Sequence, residues 1–84
     1  MVNEYERLLA TNMYERIREI VRGKLAVYVE DDTLVIRVRN FEIDYDYKVY
    51  DLSHKVVMGD FDHNAIVAQF VNSYKKYLLG GYFK

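Results

Sequence analysis

The residues able to do chemistry are few and fall in two stretches. Asp60-Phe61-Asp62-His63, with His54 upstream, carries the carboxylate and imidazole donors that suit a divalent metal. The competing reading of the same residues is a helix N-terminus with Asp62 as its cap. Asp44 and Asp46, again with His54, have the types needed for a general acid/base pair. They lack a nucleophile, an oxyanion hole and a glycine-rich phosphate loop, and solvated strand carboxylates account for the same pattern. The chain has no cysteine, which removes disulfides, thiol chemistry and thiolate metal sites. The expectation is a protein that is not an enzyme and holds no metal and no cofactor.

The chain does carry an excess of tyrosine, nine in 84 residues, and an uneven distribution of charge. Residues 1–29 are close to neutral. Residues 30–62 hold nine acids (Glu30, Asp31, Asp32, Glu42, Asp44, Asp46, Asp51, Asp60 and Asp62) against four bases. Residues 63–84 hold three lysines and no acid. The net charge of −1 therefore hides an acidic middle and a basic tail, and it excludes a generally basic nucleic-acid binder. No apolar run approaches the ~18 residues of a membrane span, and the first residues are too charged for a signal peptide. A cytoplasmic protein is expected, with no membrane contact.

These groups must be positioned by a small single domain, residues 1–84. Val2, Tyr5, Leu9, Met13, Ile17, Ile20 and Val21 follow helical spacing, which predicts a helix over about 3–22. Asn3 with Glu6 has capping-box spacing, and Gly23 with Arg22 suits the helix end. A second capping-box spacing, Asn12 with Glu15, leaves two possibilities: Tyr14 points outward, or the helix breaks near Asn12. From Lys24 the period becomes two. Three strands follow, with turns at Asp31-Asp32 and Asn40-Phe41, then a third turn at 51–54 and a short strand at Val56–Met58. The last helix starts after Asp62, with Phe61 and Ile66 at hydrophobic-staple spacing, and Gly80-Gly81 ends it. The fold class is α+β, α-β-β-β(-β)-α, an antiparallel meander with two helices packed on one face.

The strand registers check one another. A turn at 31–32 pairs Val29 with Leu34, Val27 with Ile36 and Leu25 with Val38. A turn at 40–41 pairs Val38 with Ile43, Ile36 with Tyr45 and Leu34 with Tyr47. Both place one apolar set on one face, and a one-residue slip would destroy the agreement. The opposite face then carries Tyr28, Arg37, Arg39, Glu42, Asp44, Asp46 and Tyr50. Tyrosine offers large contact area at low entropic cost and is common at interfaces. Acids between the arginines repel phosphate, which argues against direct nucleic-acid binding. The same acids, displayed together, would imitate a phosphate backbone for a basic groove on another protein. A solvated face with cross-strand ion pairs is the alternative.

Leu34-Val-Ile-Arg-Val-Arg-Asn40 with the acidic segment after it, and Ile66-Val-Ala-Gln-Phe70 running into Asn72-Ser-Tyr-Lys-Lys76, resemble the small type II-A anti-CRISPR inhibitors of listerial prophages. The resemblance spans residues 34–76. It implies an α-β-β-β-α layout and inhibition of a type II RNA-guided nuclease by acidic residues that occupy its PAM-reading site. By position it points to Asn40, Glu42 and Asp44. The chain departs from that pattern in ending with Lys84 and in having no acid after Asp62. The expected binding surface is Tyr28, Asn40, Glu42, Asp44, Asp46 and Tyr50, and the expected partner is a defence protein with a basic groove. The alternative is a homodimeric scaffold module that pairs through the open sheet face (Tyr28, Val35, Tyr50) and the Tyr82-Phe83 tail.

Overall fold

The structure, a computed structural model, describes residues 4–21, 23–40 and 43–82. The elements run α1 (Glu4–Arg18), β1 (Lys24–Glu30), β2 (Thr33–Arg39), β3 (Asp44–Val49), α2 (Leu52–Val57) and α3 (His63–Tyr82). The strands form an antiparallel meander in the order β1-β2-β3. Helix α1 packs on β1, α3 packs on β3, and the two helices touch. The α+β meander is as the sequence indicates. Val2, Asn3, Arg22, Phe41, Glu42, Phe83 and Lys84 lie outside the described residues.

The core is made where the two periodicities meet. Leu9, Met13 and Ile17 from α1 face Val29, Leu34, Ile36, Val38 and Val49 from the sheet, with Leu52, Ile66 and Phe70 closing the far side. Each fully buried side chain of this kind contributes roughly 1.5–3 kcal/mol of transfer free energy. Helix α1 is unbroken, so the open choice at Asn12 resolves in favour of an outward Tyr14. It ends earlier than the periodicity implies. The N–H groups of Ile20 and Val21 both bond to the Ile17 carbonyl, at 2.9 and 3.1 Å, and the tightened chain turns Val21 into the core. Ile20 and Tyr5, placed on the apolar stripe by spacing, are instead half exposed at the two ends of the helix. Gly23 is not the helix end. It has φ +117°, and a Cβ there would lie 3.2 Å from the Arg39 carbonyl oxygen, so it serves the approach of the chain to β2.

The first hairpin has the expected register, Val29 with Leu34 through Leu25 with Val38. Asp31 and Asp32 both adopt positive φ (50° and 57°), as a two-residue type I′ turn demands. Aspartate tolerates that region better than most side chains. The second hairpin is corrected by two residues: Val38 faces Tyr45, Ile36 faces Tyr47 and Leu34 faces Val49. A two-residue shift leaves every side chain on its face, so alternation alone could not detect it. The turn is centred one residue later than expected. It is closed by the Asn40 N–H bonding to the Ile43 carbonyl (2.9 Å) and by the Ile43 N–H bonding to Asn40 Oδ1 (3.0 Å). The later turn brings Val49 into the core against Leu34 and leaves Ile43 at the margin.

The expected strand at Val56–Met58 is a correction too. Residues 52–57 form the short helix α2, held by two devices. At its start, Asp32 from the β1–β2 turn supplies the cap: its side chain accepts from the Ser53 N–H (3.0 Å) and hydroxyl (2.5 Å), and its carbonyl accepts from Leu52 N–H (2.9 Å). At its end, the Asp60 N–H bonds to the Lys55 carbonyl and the Gly59 N–H to the Val56 carbonyl, with Gly59 at φ +74°. That is a Schellman motif. Asp62 caps α3 as expected, accepting from Asn64 and Ala65 N–H groups at 2.9 and 3.3 Å, and Phe61 packs on the core that contains Ile66. Helix α3 does not stop at Gly80-Gly81 but runs on to Tyr82. Glycine is allowed inside a helix at a cost of about 1 kcal/mol, and Gly80 does not take the left-handed conformation of a terminator.

Candidate functional site

The sheet face opposite the helices carries Lys24, Ala26, Tyr28 and Glu30 from β1, Thr33, Val35, Arg37 and Arg39 from β2, and Asp44, Asp46 and Lys48 from β3. Tyr50 follows in the same alternation just beyond β3. The observed register sets the rungs as Lys24–Arg39–Asp44, Ala26–Arg37–Asp46 and Tyr28–Val35–Lys48. Each acid of β3 therefore sits beside an arginine, while Glu30 on β1 stands opposite Thr33. Arg37 makes a bidentate pair with Asp46, Nε to Oδ1 at 2.8 Å and Nη2 to Oδ2 at 3.0 Å. Arg39 Nε reaches Asp44 Oδ1 at 3.0 Å. The Arg37 guanidinium also lies 5.8 Å from the centre of the Tyr28 ring, so one side chain is fixed between an anion and an aromatic face.

The electrostatics follow. The hydrogen bond from Arg37 holds the Asp46 carboxyl below its ordinary range, against a smaller opposing effect of burial. The same bond to Asp46 raises the Arg37 guanidinium above its ordinary value. Among the described residues the face carries four cations (Lys24, Arg37, Arg39 and Lys48) and three anions (Glu30, Asp44 and Asp46). The acidic middle of the sequence therefore does not become an acidic sheet surface. Two of its carboxylates are neutralised in place, Asp32 caps α2, Asp62 caps α3, and Glu42 lies outside the described residues.

The expected site residues separate into two groups. Tyr28 and Tyr50 line one shallow depression of about 430 Å³ with Glu30, Asp31, Thr33, Val35, Arg37 and Lys48. Val35 is its apolar floor, only 5% exposed although it faces away from the core, while Tyr50 is 61% exposed at its rim. Asp46 touches this depression only through Arg37. Asp44 and Asn40 lie at the other end of the sheet, where Asn40 closes the β2–β3 turn. Lys48 was not singled out in the sequence; with the turn one residue earlier, Asp46 would have stood in its place beside Val35.

The other candidates for chemistry have structural occupations. Asp62 caps α3, and His63 sets its ring edge-on to Phe61 at 5.0 Å. Among the described residues no group of three or more His, Asp or Glu side chains converges in a way that could hold a metal ion, and no helix is long and apolar enough to cross a membrane. The chain matches no protein-family model, no curated protein and no solved structure.

Proposed function

We propose that the protein is a non-enzymatic interaction module that docks on another protein through the Tyr28–Val35–Tyr50 depression. The observation that carries this is the construction of the face. An apolar floor, two tyrosines and a rigidly held arginine stand together on the side of the sheet that the helices leave open. Tyrosine and arginine are the side chains that most often anchor protein interfaces, and a preorganised arginine loses little entropy on binding. The mixed charge suits a protein surface better than a polyanion.

The resemblance of residues 34–76 gives this reading its concrete form, an inhibitor of a type II RNA-guided nuclease acting in the bacterial cytoplasm. This contact differs from pure phosphate mimicry, because Asp44 and Asp46 already hold arginines. The test is capture by a guide-loaded type II nuclease, followed by a DNA-cleavage assay. The wild type is expected to bind and to reduce cleavage. Tyr28→Ala with Tyr50→Ala is expected to abolish both, and Asp44→Asn with Asp46→Asn to weaken them less. Binding that survives loss of both tyrosines overturns the proposed surface. A nuclease that ignores the protein at micromolar concentration removes this target.

A further inference from the structure

Strand β1 is an edge of the sheet, and nothing in the strand blunts it. In a two-residue hairpin the residues flanking the turn form a hydrogen-bonded pair, so Glu30, Tyr28, Ala26 and Lys24 bond across to β2. The N–H and C=O groups of Leu25, Val27 and Val29 then point outward. Among the described residues no hydrogen bond reaches them. The strand contains no proline, no glycine and no bulge, and its only charges are at its two ends, Lys24 and Glu30. Natural edges usually carry one of these protections. Beside the strand, between β1 and α1, runs a mostly apolar groove of about 340 Å³ that opens onto Val27–Val29 and is walled by Arg7, Thr11 and Tyr14.

We infer that this edge pairs with the same edge of a second copy, antiparallel about a twofold axis at Val27, joining two three-stranded sheets into one of six strands. The sequence of the strand, Lys-Leu-Ala-Val-Tyr-Val-Glu, is complementary to its own reverse. In that register Val27 meets the partner's Val27 and Leu25 meets the partner's Val29, all through their outward backbone groups. Lys24 falls opposite the partner's Glu30 on the open face, twice by symmetry, and Ala26 leaves room for the partner's Tyr28. Moving the axis by one residue shortens the overlap and breaks both charge pairs. Isologous contact of this kind is the commonest form of homodimer. It forms along the strand edge, where Tyr28 and Glu30, which also border the open-face depression, come to lie beside the partner's Ala26 and the partner's Lys24.

The test is the oligomeric state of the full chain from micromolar to millimolar concentration, by sedimentation or light scattering. Lys24 and Glu30 are both exposed, so charge changes there leave the core untouched. The wild type is expected to dimerise. Lys24→Glu alone or Glu30→Lys alone puts two like-charge pairs in the interface and is expected to weaken the dimer roughly tenfold or more. The exchange K24E/E30K restores the pairing and is expected to return the affinity to near the wild-type value. Amide exchange at Leu25 and Val27 is expected to slow as concentration rises. A wild type that stays monomeric at millimolar concentration overturns the inference, and so does a dimer indifferent to the single reversals.

Discussion

The two edges of this sheet are finished in different ways. On β3 the outward backbone groups belong to Asp44, Asp46 and Lys48, so a charge stands at every second position, facing away from the helices. The Tyr77 hydroxyl from α3 closes the first of them, accepting from the Asp44 N–H at 3.2 Å and donating to the Asp44 carbonyl at 3.3 Å. Tyr45 is tied to α3 through a hydroxyl contact with Ser73. Its ring lies 4.8–6.2 Å from those of Phe70, Tyr74 and Tyr77. On β1 there is no such cover among the described residues, and α1 leaves a groove where α3 places a hydroxyl. The contrast shows what a long helix rich in aromatics does for a small sheet: it fills the core and also satisfies the polar border of the strand beneath it. The edge without that service is the one fitted for a partner.

Damage to the aromatic cluster beneath β3 should cost the fold most. Phe70 is fully buried and touches the rings of Tyr45, Tyr47 and Tyr74. Phe70→Ala is expected to cost about 3–5 kcal/mol, enough to unfold a domain this small. Met13→Ala, the equally buried position on the β1 side, is expected to cost about 2–5 kcal/mol and to leave more residual structure. Denaturant unfolding compares the two; equal losses would mean that the aromatic cluster holds β3 no more firmly than α1 holds β1. Next is Asp32→Gly, which keeps the positive φ of the β1–β2 turn, removes the carboxylate that caps α2, and is expected to cost about 1 kcal/mol. Amide protection should fall within residues 52–57, and a uniform loss across the sheet would contradict the capping role. Tyr77→Phe removes only a hydroxyl and is expected to cost about 1 kcal/mol or less. Its sharper signature is local: Asp44 should exchange its amide as fast as the uncovered Val27 does in the monomer, and an unchanged Asp44 would show that the hydroxyl does not seal the edge.

The layout of the fold was legible because period-two and period-3.6 patterns are strong when one face is buried. The first hairpin and the Asp62 cap could be located to the residue for that reason. The misreadings came from places where pattern is silent. Alternation cannot distinguish registers that differ by two, and both placed an acid next to Arg37 and Arg39. Only the side-chain closure by Asn40 and the burial of Val49 separate them. Helix α2 was hidden because Val56, Val57 and Met58 have strand-like composition, while its cap comes from Asp32, about twenty residues away. Gly59 was the local signal available for it. Of the candidate site, the tyrosines could be placed on the open face from parity alone. Which acid each arginine neutralises depended on register: the earlier turn sets Asp44 beside Arg37 and Asp46 beside Val35, whereas the observed one gives Arg37 to Asp46 and Arg39 to Asp44.

The ion pairs that neutralise Asp44 and Asp46 contribute least, and they belong to the same defended β3 edge. The Asp46 carboxyl is held below its ordinary range by Arg37. A group depressed on folding stabilises the native state above its unfolded value and loses that contribution as pH falls toward its folded value. The difference in melting temperature between the wild type and Asp46→Asn should therefore be present at neutral pH and shrink below about pH 4. Both partners are about a third exposed, so the difference should be modest and should fall with added salt. Asp44→Asn is the internal control. Arg39 and Asp44 are more exposed, at 54% and 73%, and make a single contact where Arg37 makes two, so the loss of melting temperature at neutral pH should be smaller still. A difference between wild type and Asp46→Asn that does not change with pH would mean that Arg37 is held by Tyr28 and packing alone. The tyrosine would then be the element that preorganises the open face, and the carboxylate a spectator.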